Sequence, residues 1–328
     1  MGYISERQVA ANGLNFCLAE AGDPTAPMVI LLHGFPECWA SWRFQLPVLA
    51  ESGFYAVAPD LRGYGLSDAP GEMEAYSQTR LTDDVVALIR ACGHRQAVVV
   101  GHDWGAALAW QVARRYPQQV RAVVALSVPY GGPSPVPPSE AMKAAFADAF
   151  FYMLYFQQPE VPEHELEGDV RDSLRRIFHA WSAQADTAAF LQPRQGGGFL
   201  DGMPVPEIQP HWMREVDLDF YVSRFEKSGF RGPLNWYRAM DTYWWETRDE
   251  PEQAWQITCP ALYMVGRQDP VLMMNSKALK RMANYVPQLQ GPHILEDCGH
   301  WTQMEQPSEV NRYLLEFIED VGRQTSDV

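Results

Sequence analysis

The segment VVVGHDWGAALAW, residues 98–110, is a β-branched run that breaks into Gly101, passes an aspartate and Gly105, and continues with helical spacing. Strand, sharp turn and helix within so few residues define a βα unit, and the unbroken valines leave the strand no polar face to show to water. Further short apolar runs share this character: MVILLHG (28–34), YAVAPD (55–60), VRAVVALSVP (120–129), PALYMVG (260–266) and HILEDCG (293–299). Between them lie segments of helical periodicity such as LTDDVVALIRACG (81–93). Alternating buried strands and helices predict a doubly wound, mostly parallel α/β sheet. Ahead of it, RQVAANGLNFCLAE (7–20) reads as a hairpin about Asn12-Gly13, a pair that favours positive φ.

One stretch interrupts the rhythm. From residue 131, GGPSPVPPSE opens a proline-rich connector, followed by aromatic helical text (AFADAFFYMLYF, SLRRIFHAW), a glycine loop QGGGF and NWYRAMDTYWWE. No buried-strand run returns until about residue 259. A structureless loop of that length is improbable in a compact domain, so residues 131–251 are expected to form a helical lid. Residues 1–130 and 252–328 then make the core domain.

Strand, tight turn and helix form the geometry of a nucleophile elbow, which holds one side chain at the tip of a strained turn between small residues. Asp103 occupies that tip. A bare G-x-D-x-G also suits an ordinary helix cap, so the motif needs partners. Asp269 in GRQDPVL and His300 in EDCGHWTQ supply them, each just after an apolar run, in the order nucleophile, acid, histidine of an α/β-hydrolase triad. Singly, an Asp before Pro reads as a turn and a His after Gly as a packing residue. The loop HGFPE (33–37) adds a fourth element: the backbone N–H of Phe35, together with that of Trp104, would form an oxyanion hole. Phe35-Pro36 reads as an ordinary rigid turn, with a cis bond as the other reading. His102 reads as a hydrogen-bonded structural histidine.

The motifs HGFPECWASWRFQ, PDLRGYGLSDAP, GHDWG, YFQQPEVPEHELE, KSGFRGPLNWYR and EDCGHWTQMEQP together resemble those of the α/β-hydrolase-fold epoxide hydrolases, and most the hydrolase domain of soluble epoxide hydrolase. The resemblance runs from about Gly13 to Phe317 and includes motifs of the lid. It implies attack by Asp103 on an epoxide carbon and hydrolysis of the resulting ester by water activated by His300 and Asp269. It also implies two lid tyrosines as proton donors, Tyr155 in YFQQP and Tyr237 in NWYR. The residues alone would not select these two, because Tyr152, Tyr221 and Tyr243 lie in the same segment.

Elementary chemistry agrees with the implied route. A serine attacking an sp3 carbon would leave an ether that activated water cannot release, whereas an aspartate leaves an ester. The carboxylate is ionised without help at neutral pH, its ordinary pKa being about 3.9. Ring opening does require an acid, and a phenol of pKa about 10 can protonate the departing alkoxide. Phe35, Trp104, Trp301 and Met304 are candidates to line an apolar pocket, with packing beneath the triad as the other reading for Trp301 and Met304.

Composition narrows the partners. A net charge of −15, from 26 Lys and Arg against 41 Asp and Glu, argues against nucleic acid and anionic membrane and fits a neutral small substrate, which the resemblance implies is an apolar epoxide acting with water. The five cysteines form no CxxC pair, so zinc is not expected, and no other metal or cofactor is called for. No apolar run is long enough to span a membrane, and MGYISERQVA lacks the pattern of an export signal, which suggests the cytoplasm. Oligomeric state is not legible. Two alternatives stay open: a haloalkane dehalogenase using the same aspartate, and a ligand-binding hydrolase-fold protein without turnover.

Overall fold

A computed structural model describes residues 4–147, 149–186 and 196–324. The start of the chain, read above for an export signal, falls partly outside them, as do Asp148 and residues 187–195 of the predicted lid.

Eight strands form one sheet: β1 (Ser5–Ala11), β2 (Leu14–Ala21), β3 (Met28–Leu32), β4 (Tyr55–Pro59), β5 (Ala97–His102), β6 (Val120–Leu126), β7 (Ala261–Gly266) and β8 (Leu289–Leu295). Their order is β1-β2-β4-β3-β5-β6-β7-β8. β1 pairs with β2, and β2 with β4, antiparallel; every other pairing is parallel. The β1–β2 hairpin turns at Asn12 and Gly13, both with positive φ (47° and 77°), as the dipeptide predicts. The apolar runs owe their lack of alternation to position: β3, β4, β5 and β7 are buried along their whole length, between helices on both faces.

The last strand differs from its sequence reading. The run HILEDCG suggests a strand over 293–299, whereas β8 starts at Leu289 and stops at Leu295. Gly291-Pro292 looks like a strand breaker, yet β8 sits at the sheet edge, where a missing ladder N–H is tolerated. Glu296 to Gly299 instead form the turn that carries the chain to His300.

Between β6 and β7 the described residues form helices and no strand, among them Pro138–Phe146, Tyr152–Tyr155, Val161–Gly168, Val170–Ala180, Glu215–Ser228, Arg231–Arg238 and Met240–Thr247. Helices Val170–Ala180 and Glu215–Ser228 bury Phe178 against Tyr221, ring centres 4.9 Å apart. A hydrogen bond also ties the segment to the loop after β4, where Trp236 donates its indole N–H to the Arg62 carbonyl at 3.0 Å.

Candidate active site

The turn after β5 is built by what glycine lacks. A Cβ on Gly101 would strike the Gly105 carbonyl, and one on Gly105 would strike the backbone of Leu32 and His33, so the helix Trp104–Arg115 approaches β3 and β5 only with both glycines in place. Asp103, at the tip, adopts φ 53° and ψ −118°, a region costly for a residue with a side chain. Such strain persists where surrounding structure enforces it. Gly34 answers from the opposite loop: a Cβ there would collide with the Asp103 side chain.

That close approach lets the Phe35 N–H donate to Asp103 Oδ1 at 3.0 Å, while the Trp104 N–H also faces the carboxylate. Burial raises the Asp103 pKa, and the charges of His300 and His102 with the two N–H groups pull against it. The Phe35–Pro36 peptide is cis.

Asp269 and His300 reach the same point from the ends of β7 and β8. Gly266 leaves no room for a Cβ against the carbonyls of Cys298 and Gly299, which draws the two loops together. Asp269 caps the helix Pro270–Met274 by accepting from Val271 N–H at 2.9 Å, and the same Oδ1 lies 3.1 Å from His300 Nδ1. Asp269 thus sits in a turn with its carboxylate against the His300 ring. His300 Nε2 stands 3.6 Å from Asp103 Oδ2. Burial lowers the His300 pKa, but Asp269, Asp103 and Glu37 outweigh it and hold the value at about 9.

Beneath the site runs a buried network that the motif reading of HGFPE missed. Glu37 accepts from Gly34 N–H (2.6 Å) and Gln303 Nε2 (2.7 Å), and its Oε2 lies 2.7 Å from His102 Nδ1. The other edge of His102 donates from Nε2 to the His300 carbonyl at 2.7 Å. Burial pushes Glu37 up, yet the His102 charge and these hydrogen bonds bring it below its ordinary value. His102 is thus the structural histidine expected, and it clamps the loop of Phe35 to the loop of His300. His33 is held neutral, its pKa lowered to about 4 by burial, with Nε2 accepting from Leu61 N–H.

The segment between β6 and β7 brings two phenols, Tyr237 and Tyr152, within the electrostatic reach of Asp103. Tyr237 is buried and packs its ring 5.4 Å from Phe35 and 5.0 Å from Trp104. Its neighbour is Tyr152, ring centres 6.1 Å apart. Both phenols are pushed well above their ordinary value, first by burial and then by the Asp103 carboxylate, with Asp269 adding to the effect on Tyr152. Tyr155 instead turns its ring to Phe150 (5.6 Å) and Phe156 (6.2 Å). The ring of Tyr152 thus stands beside that of Tyr237. The two tyrosines sit three residues apart on one short helix, Tyr152–Tyr155, and tertiary packing decides which faces inward.

Phe35 and Trp104 both pack against Tyr237. Trp301 and Met304 are engaged elsewhere. The Trp301 ring packs 4.7 Å from His300, its indole N–H donating to the Phe178 carbonyl at 2.8 Å. Met304 Sδ accepts from Arg43 (3.2 Å) and Tyr221 (3.5 Å). Packing behind His300, rather than pocket lining, is what this geometry favours for these two.

A family model described as the alpha/beta hydrolase fold matches residues 27–307. "Epoxide hydrolase A" of Mycobacterium tuberculosis is 42% identical over 97% of this chain and 98% of its own length. The chain belongs to the epoxide hydrolases of the α/β-hydrolase fold. A crystal structure of epoxide hydrolase A from Mycobacterium thermoresistibile superposes on this epoxide-hydrolase fold with a TM-score of 0.91 at 42% identity, covering 97% of this chain and 98% of that one. The "Bifunctional epoxide hydrolase 2" of Sus scrofa is also 42% identical over 95% of the chain, which spans 54% of that longer protein.

Proposed function

We propose that this epoxide hydrolase converts a small apolar epoxide and water to a vicinal diol through an alkyl ester on Asp103, under a lid formed by residues 131–251. Asp103 Oδ1 rests on the Phe35 N–H, which leaves Oδ2 for the electrophile. As Oδ2 bonds to an epoxide carbon, the carbon–oxygen bond of the ring breaks, and the alkoxide takes a proton from Tyr152 or Tyr237. Negative charge leaves Asp103 and ends on a phenol. Loss of the carboxylate charge removes one of the influences that raise both phenols, so the donors become more acidic as they are needed.

Hydrolysis follows at the ester carbonyl of Asp103. His300 Nε2 takes a proton from water, Asp269 stabilises the imidazolium, and the oxyanion on the former Oδ1 meets the N–H groups of Phe35 and Trp104. Collapse of this intermediate expels the diol oxygen, which takes the proton held by His300, and the re-formed carboxyl group of Asp103 loses its own proton, which restores the phenol. The ester also lacks the charge by which Asp103 raises His300, so the histidine becomes neutral, and basic in function, at lower pH than in the resting protein.

The observation that carries this reading is the convergence of two phenols on a buried carboxylate that already faces a histidine and two N–H donors. Halide departs without a proton, so a dehalogenase has no use for the phenols. Incubation with styrene oxide and, separately, with 1-chlorohexane tests the choice: diol from the first and no chloride from the second is expected, whereas chloride release without diol would reverse it. No described helix is long and apolar enough to cross a membrane. The free cysteines Cys17, Cys38, Cys92, Cys259 and Cys298 suit a reducing compartment, which supports the cytoplasm.

A further inference from the structure

Ser127, the residue after β6, is fully buried and holds φ 75°, in the left-handed region that favours glycine. Its backbone is pinned there from β7: the N–H donates to the Met264 carbonyl at 2.9 Å, and its own carbonyl accepts from the Tyr263 hydroxyl at 2.7 Å. A glycine would adopt this conformation at lower cost. What glycine would not supply is the hydroxyl, and Ser127 Oγ stands 3.1 Å from His300 Nδ1, the nitrogen that Asp269 Oδ1 also meets at 3.1 Å.

A ring nitrogen carries one proton, so the Nδ1–H is shared between carboxylate and hydroxyl. The serine keeps its own proton to give, and Asp269 Oδ2, on the carboxylate that borders this contact, is buried with no hydrogen-bond partner among the described residues. Two groups, the Ser127 hydroxyl and the Asp269 carboxylate, thus brace the Nδ1 edge of the ring, while Trp301 and Trp181 pack on the imidazole at 4.7 and 5.4 Å.

We propose that Ser127 is a positioning residue for ester hydrolysis: its hydroxyl fixes the proton of His300 on Nδ1 and keeps Nε2 turned toward the water that attacks the Asp103 ester. This rests on the two-step reading above. Charged or titratable groups facing His300 are Asp269 after β7, Asp103 after β5, Glu37 after β3 and, across 4.8 Å, the ring of His102. Ser127 adds a neutral acceptor to that set. Its loss destabilises the imidazolium and loosens the ring, so the hydrolytic step slows and its pH midpoint moves down. Ester formation, which needs no base, is spared.

Rapid-quench kinetics of Ser127→Ala and Ser127→Gly with styrene oxide test this. Both variants are expected to form the ester within about twofold of the wild-type rate and to hydrolyse it about tenfold more slowly, the effect of one hydrogen bond to a charged group. Glycine relieves the backbone strain, so Ser127→Gly should be the more stable of the two while sharing the hydrolytic defect. A purely structural role would instead slow both steps in proportion to lost thermal stability and leave the pH midpoint fixed. Wild-type hydrolysis rates and an unmoved midpoint in both variants would overturn the assignment of Ser127 alone. Absence of any trapped ester in the wild type would overturn the two-step reading and this inference with it.

Discussion

His300→Gln is expected to form the Asp103 ester and then stall, so that intact-protein mass spectrometry finds a stoichiometric adduct heavier by one epoxide. Glutamine cannot accept the proton of water at neutral pH, and a positioned general base contributes about 10²–10⁴-fold to such a step. Diol release should fall by that factor while the burst of epoxide consumption survives. The sign of the wild-type pH dependence follows from the same residue. His300 must be neutral to act, its resting value is about 9, and esterification removes the Asp103 charge that helps to hold it there. Single-turnover hydrolysis is therefore expected to rise with pH and to level off before pH 9. Ester formation behaves differently, being lost only as acid protonates Asp103, whose value burial raises above the ordinary carboxylate range. A hydrolysis rate that falls between pH 6 and 8, or a His300→Gln variant that releases diol at the wild-type rate, would contradict this assignment.

Replacing Tyr152 and Tyr237 together by phenylalanine should slow ester formation by about 10²–10⁴-fold, the range for removal of a general acid. Each single variant keeps one donor and should lose less. Tyr155→Phe is the decisive comparison, since the Tyr155 ring faces Phe150 and Phe156 while Tyr152 shares the electrostatic influence of Asp103 with Tyr237. Stopped-flow quenching of protein fluorescence on ester formation would report all four rates. Near-normal ester formation in Tyr155→Phe with a deficit in Tyr152→Phe is expected; the reverse pattern would restore the motif-based assignment.

What the sequence revealed depended on how local its signal was. Seven of the eight strands left a clear mark, because burial on both faces writes an unbroken apolar run and a hairpin turn writes Asn-Gly. β8 was misplaced by a few residues, since an edge strand hides its Gly-Pro interruption. Asp103, Asp269 and His300 stood out because each follows a strand in a fixed order. Tyr152 was missed for a geometric reason: residues three apart on one turn of helix are neighbours, and the text YMLYF cannot say which of its tyrosines turns inward. Glu37 and Ser127 were invisible for another. Their partners lie far along the chain, His102 at 65 residues from Glu37, Gln303 at 266, and His300 at 173 from Ser127, so only folding makes them a site.

A covalent detour through Asp103 makes one demand that no direct attack by water shares. With protein in excess over epoxide in water enriched in heavy oxygen, a single turnover should yield diol containing no heavy isotope, because the added oxygen comes from the Asp103 carboxylate, which then takes up the label. Heavy oxygen in the diol of that first turnover, with the carboxylate of Asp103 unlabelled, would contradict the account.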